Sequence, residues 1–144
     1  MSIWHNNPTL TEINSLHEGT LGEHMNITFT EIGDNYLKAS MPVSKCVQQP
    51  FGLLHGGASV VLAETLGSVA TWCLVNRDLF IGIGLEINAN HIKAAAEGIV
   101  TGICTPIHIK GKNHVWDIKI YNEQSELVCV SRFTCTIIAK SKFN

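Results

Sequence analysis

From residue 80 onward, apolar and polar positions alternate in four runs, residues 80–92, 99–109, 115–121 and 127–138, and each reads as a strand. In the third run Trp116, Ile118 and Ile120 stand on one face and Asp117 and Lys119 on the other, so one side of the sheet is wet. Glu97-Gly98, Lys110-Gly111-Lys112-Asn113 and Asn122-Glu123-Gln124-Ser125 interrupt the runs. Such short turns cannot carry parallel crossovers, so the sheet is antiparallel. Residues 26–32 alternate too, Ile27 and Phe29 against Thr28 and Thr30. After the turn Gly33-Asp34-Asn35, residues 36–41 complete a hairpin. Upstream, Thr9 and Glu12 have capping-box spacing and predict a short helix ending near Gly19. Residues 46–54, with Pro50 and Gly52, read as a loop.

Residues 57–74 break the period of two. Val60, Val61, Leu62, Ala63, Leu66 and Val69 leave a helix there little face for water. A long apolar helix among antiparallel strands is buried only if the sheet wraps it. The pattern therefore predicts one α+β domain, residues 1–144, with a single swallowed helix.

Composition narrows what that domain does. At 144 residues it can hold a real core, and oligomerisation would help it. A hydrophobic share of 45% against 15% charged residues is sparse in charge for a monomer, which points to apolar surface covered by another chain. The net charge of −2 and scattered basic residues give no footprint for nucleic acid. Residues 1–20 lack the basic start and apolar run of a signal peptide. No stretch was expected to reach the ~18 apolar residues of a membrane span. The five cysteines (Cys46, Cys73, Cys104, Cys129 and Cys135) are odd in number without a C-x-x-C pair, so a reduced, cytoplasmic protein is the simpler expectation. Cys104, Cys129 and Cys135 lie in strand-like runs and read as small core or interface residues. The histidines show no metal-ligand spacing, and no metal is expected.

The chemistry concentrates in His55-Gly56-Gly57-Ala58-Ser59-Val60-Val61-Leu62-Ala63-Glu64. A glycine turn opens the helix, where backbone N–H groups can stabilise developing negative charge. Glu64 stands about two turns further on among apolar neighbours, and a carboxylate so placed is expected to be buried and used. An oxyanion donor and a carboxylate on one element suggest acyl transfer.

The run QPFGLLHGGASVVLAETLGSVA, from Gln49 to Ala70, resembles the signature of hotdog-fold acyl-CoA thioesterases. The run Gly84-Leu85-Glu86-Ile87-Asn88-Ala89-Asn90-His91 is similar to the same group, and the likeness extends from about Leu10 to about Ile138. Within the family it points to the branch of 1,4-dihydroxy-2-naphthoyl-CoA and enterobactin-proofreading thioesterases. The resemblance implies a hotdog fold, in which an antiparallel sheet wraps one long helix. It also implies hydrolysis of an aryl- or acyl-CoA to free acid and coenzyme A, with no cofactor beyond the substrate's own CoA.

Carried over residue by residue, Glu64 is the general base or the nucleophile, and Gly56 gives the oxyanion N–H. His55 orients the thioester carbonyl, Gln49 holds water or substrate, and Ser68, one turn past Glu64, lines the same face. For coenzyme A the resemblance implies Gly84, then His91, Ile92, Lys93 and Ala94, and the turn of His108, Ile109, Lys110, Gly111, Lys112 and Asn113. Lys93, Lys110 and Lys112 are the cations available to phosphate. It further implies a homodimer whose sites join Glu64 of one chain to the Gln49–Gly56 segment of its mate, and a homotetramer of such dimers. Two rivals stay open: a hotdog hydroxyacyl-thioester dehydratase, and an acyl-CoA-binding module without catalysis. The adjacent His55-Gly56-Gly57 and the step to Glu64 favour hydrolysis over the first. The joint presence of Gln49, His55, Gly56, Glu64 and Ser68 favours it over the second.

Overall fold

The computed structural model describes residues 1–142. Helices α1 (Leu10–Ser15) and α2 (Leu21–His24) lead into strands β1 (Thr28–Ile32) and β2 (Leu37–Pro42), then helix α3 (Gly56–Leu74). Strands β3 (Phe80–His91), β4 (Ile99–His108), β5 (Asn113–Tyr121) and β6 (Leu127–Ala139) follow. All pair antiparallel in one sheet of order β1-β2-β4-β5-β6-β3. Helix α3 packs on β2, β3, β4, β5 and β6.

The alternation seen along the chain is the cause of that packing. Leu37, Ala39, Met41, Val100, Cys104, Trp116, Ile118, Ile120, Cys129 and Phe133 all point inward and are buried. From the helix come Leu62, Ala63, Leu66, Ala70 and Cys73. Two glycines permit the close approach: a Cβ at Gly67 would strike the Phe133 ring, and one at Gly102 would strike Leu66. One polar chain runs through the core, where Trp116 Nε1 donates to Thr71 Oγ1 at 2.9 Å and Cys135 Sγ lies 3.0 Å from the same oxygen. The cysteines are free, and only Cys46 is exposed. Burial pushes the Cys73 thiol up to about 12, which leaves it inert as a nucleophile.

Several expectations change. The first helix stops at Ser15, and α2, which the pattern did not suggest, follows it. Thr9 does cap α1, accepting from the Glu12 N–H at 3.2 Å, but the Glu12 carboxylate turns to Arg77 instead of closing the box. Helix α3 proves long and apolar enough, by length and composition alone, to cross a membrane, contrary to the sequence expectation. Here the sheet buries one side of it instead. Its other side is open in the single chain, so Glu64, expected to be buried, is exposed, and Ser68 is exposed with it. Beside them lies β3, an edge strand whose Phe80, Ile83 and Leu85 are exposed.

Candidate active site

The loop before α3 is held by its own backbone. Gln49 N donates to Leu53 O at 2.8 Å, Gly52 N to Gln49 O at 2.9 Å, and His55 N to Val47 O at 2.8 Å. Gly52, at φ +79°, supplies the left-handed turn residue. The Gln49 side-chain oxygen accepts the Phe51 N–H, which leaves its amide hydrogens as donors.

His55 is the N-cap of α3, and its Nδ1 accepts the Gly57 N–H at 2.8 Å. A ring nitrogen that accepts carries no proton in the neutral imidazole, so the cap assigns the hydrogen to Nε2, where it can meet a carbonyl oxygen. Among the described residues the Gly56 N–H has no hydrogen-bond partner. It is the free donor at the head of a 19-residue helix. His91, at the end of β3, approaches so closely that a Cβ on Gly56 would stand 2.7 Å from its Nε2. Gln49, Gly56, Ser59, His91, Ile92, Lys93 and Ala94 line one cleft of about 300 Å³.

Glu64 and Ser68 stand elsewhere. Glu64 is eight residues past Gly56, about 12 Å along the axis, and its neighbour is Gly84: a Cβ there would lie 3.2 Å from Glu64 Oε1. Ser68 lines a separate recess with Leu16, Val69, Trp72, Val75, Ile81 and Gly82. The turn from His108 to Asn113 is further still. Asn113 pairs with Thr136 of β6 and His91 with Cys129, seven strand residues apart, which is about 23 Å. One chain thus brings Gln49, His55, Gly56 and His91 together, pairs Glu64 with Gly84, and leaves the turn at the far end. Of the three lysines, Lys93 is ion-paired with Glu126 at 2.6 Å, whereas Lys110 and Lys112 are exposed in the turn. Trp72 and Arg77, beside the Ser68 recess, were missed because their meaning depends on α1, which the sequence pattern placed only loosely.

The profile of the Thioesterase superfamily matches residues 51–129. The chain is 47% identical to the 1,4-dihydroxy-2-naphthoyl-CoA hydrolase of Escherichia coli K12, over 94% of this chain and 99% of that one. It is 46% identical to the proofreading thioesterase EntH of Cronobacter sakazakii, with 94% and 98% covered. A crystal structure of a glutamine-to-alanine mutant of thioesterase PA1618 from Pseudomonas aeruginosa superposes with a TM-score of 0.94 at 40% identity, covering 96% of this chain and 99% of that one. Thioesterase HI1161 from Haemophilus influenzae gives 0.92 at 39% identity, covering 95% of each. The chain belongs to the thioesterase superfamily, with its α+β hotdog fold, and it is a thioester hydrolase.

Proposed function

We propose that the protein hydrolyses aryl- or acyl-CoA thioesters to free acid and coenzyme A, at sites shared by two copies of the chain. The observation that carries this reading is the separation on α3. Gly56 and Glu64 lie about 12 Å apart along the axis, while a base and an oxyanion donor for one carbonyl must both come within about 3 Å of reacting atoms. Edge strand β3 supplies the remedy, since Gly84 beside Glu64 and His91 beside Gly56 lie on the same open edge. Antiparallel pairing of two such edges, with Gly84 near the partner's His91, brings Glu64 to the partner subunit's Gly56. It also covers Ile83 and Leu85, which a long open edge would leave as an association hazard. Ile99 and Ile107, exposed on β4, are surface that a further pairing into a homotetramer would cover.

At such a site the Gln49 amide and the His55 Nε2–H hold the thioester and its water. Glu64 either takes a proton from that water as it adds to the carbonyl carbon, or adds itself to give an anhydride that water then opens. In both routes the carbonyl oxygen becomes anionic against the Gly56 N–H, the C–S bond breaks, and the thiolate leaves as CoA. Likeness to the E. coli hydrolase makes 1,4-dihydroxy-2-naphthoyl-CoA, on the way to menaquinone, the acyl-CoA to try first.

The test is release of free thiol from a panel of CoA esters by the wild type and by Glu64→Gln. Glutamine keeps the shape and removes the charge, so the fold should persist while kcat falls by at least about a hundredfold. A loss below about tenfold, roughly 1.4 kcal/mol, would assign the chemistry to another residue.

A further inference from the structure

The recess beside Ser68 has a volume of about 310 Å³. Glu64, Ser68 and Trp72 follow one another at four-residue steps and so share a face of α3. A thioester carbonyl held at Glu64, with its acyl group directed toward the C-terminal end of α3, meets Ser68 after about 6 Å and Trp72 after about 12 Å. Val69, Val75 and Ile81 make the sides apolar.

Trp72 is not left to choose its own position. The Arg77 guanidinium sits over its ring, Cζ 3.9 Å from the centroid. Arg77 Nη1 is in turn held at 2.5 Å by Oε1 of Glu12, in the first turn of α1. Leu16, the residue that closes α1, is itself a wall of the recess. The Arg77 side chain is only 17% exposed, so both its contacts are partly shielded from water. For the indole to swing aside it would have to break the cation–π contact, because the ion pair with Glu12 keeps the guanidinium from following it.

We infer that Arg77 is a positioning residue for acyl selectivity: anchored by Glu12, it locks Trp72 as the end wall of the acyl recess. With the wall fixed, the recess accepts a short flat acyl group and stops a long straight chain. The location of the thioester rests on the proposed function, but the lock itself is read by binding as well as by turnover.

The test compares two substrates, benzoyl-CoA and lauroyl-CoA, and two non-hydrolysable thioethers, phenacyl-CoA and dodecyl-CoA. Wild-type protein, Arg77→Met, Arg77→Lys and Glu12→Gln are measured for kcat/KM and, by titration calorimetry, for Kd. Arg77→Met and Glu12→Gln should each lower the benzoyl-over-lauroyl ratio by about tenfold or more, in turnover and in binding alike, as a freed wall admits the longer chain. Arg77→Lys, which keeps a cation for both Trp72 and Glu12, should restore most of the ratio. Folding is checked by circular dichroism, and Glu12→Gln, at a partly exposed position, serves if Arg77→Met does not fold. Ratios within about twofold of wild type in folded variants would overturn the lock while leaving the thioesterase reading intact. Wild-type protein that neither binds the thioethers nor cleaves the esters would overturn both.

Discussion

Two histidines show how far residue type alone can mislead. Neither His17 nor His114 belongs to the site, yet both are the perturbed ones. Burial lowers the affinity of each for a proton, and the charge of His108 lowers that of His114 further. His17 Nε2 and His114 Nδ1 are buried without a hydrogen-bond partner, and His17 is stacked on Phe29. In the folded protein both are therefore neutral where an unfolded chain would be protonated, below about pH 6.5. The unfolded state then binds more protons, so stability falls as pH drops through about 6.5 and levels off below the lowered folded values. Glu31, held low by its hydrogen bond from Lys38, and Glu126, held low by Lys93, act only beneath the usual carboxylate range. Thermal midpoints should decline over that histidine window, and a His17→Gln, His114→Gln double variant should decline less. An unchanged slope in that variant would trace the effect to other groups. Glu64 stood out as a candidate because a lone carboxylate in an apolar helix is conspicuous. Its exposure was not legible, because a one-dimensional pattern cannot tell a face covered by a sheet from one left for another chain.

Elements were more legible than their ends. The strands after residue 80 announced themselves by period and the helix, read at 57–74, by its apolar run, and the structure moves their bounds by a residue or two. Helix α2 escaped because four residues are too few to show any period. The glycines within elements carry meaning that propensity reverses. Gly67 lies mid-helix, where alanine would ordinarily gain about 0.5–1 kcal/mol. Here a Cβ collides with the ring of Phe133, and its Cβ is only 3.2 Å away, so the side chain has no room to retreat in a fully buried site. Overpacking of this kind costs roughly 1–3 kcal/mol. Gly67→Ala should thus lower the denaturation midpoint, and a rise would show that β6 can shift away from α3 at little cost. The same substitution would disturb the strand face beside Glu64, because Phe133 also touches the space at Gly84.

At the scale of the whole molecule, the distribution of the site residues is itself the argument for assembly. One chain holds Gln49, Gly56 and His91 at one cleft, with His55 capping the adjoining helix end, and a distant carboxylate, Glu64. If two copies complete each other across β3, a site needs Gln49 from one and Glu64 from the other. Glu64→Ala and Gln49→Ala proteins, each impaired alone, should then regain activity when mixed and allowed to exchange subunits. A mixed dimer has one site with both residues intact and one lacking both. Random exchange of equal amounts makes half the dimers mixed, so about a quarter of all sites are restored. Exchange is followed by mass spectrometry under native conditions, with one variant isotopically heavy, and activity is read as free thiol against the sum of the unmixed proteins. Recovery that tracks the mixed-dimer fraction supports the shared site. Full exchange with no gain above that sum would place Glu64 and Gln49 in the same chain's site, and would require α3 or its leading loop to rearrange by about the 12 Å that now separates its two ends of the chemistry.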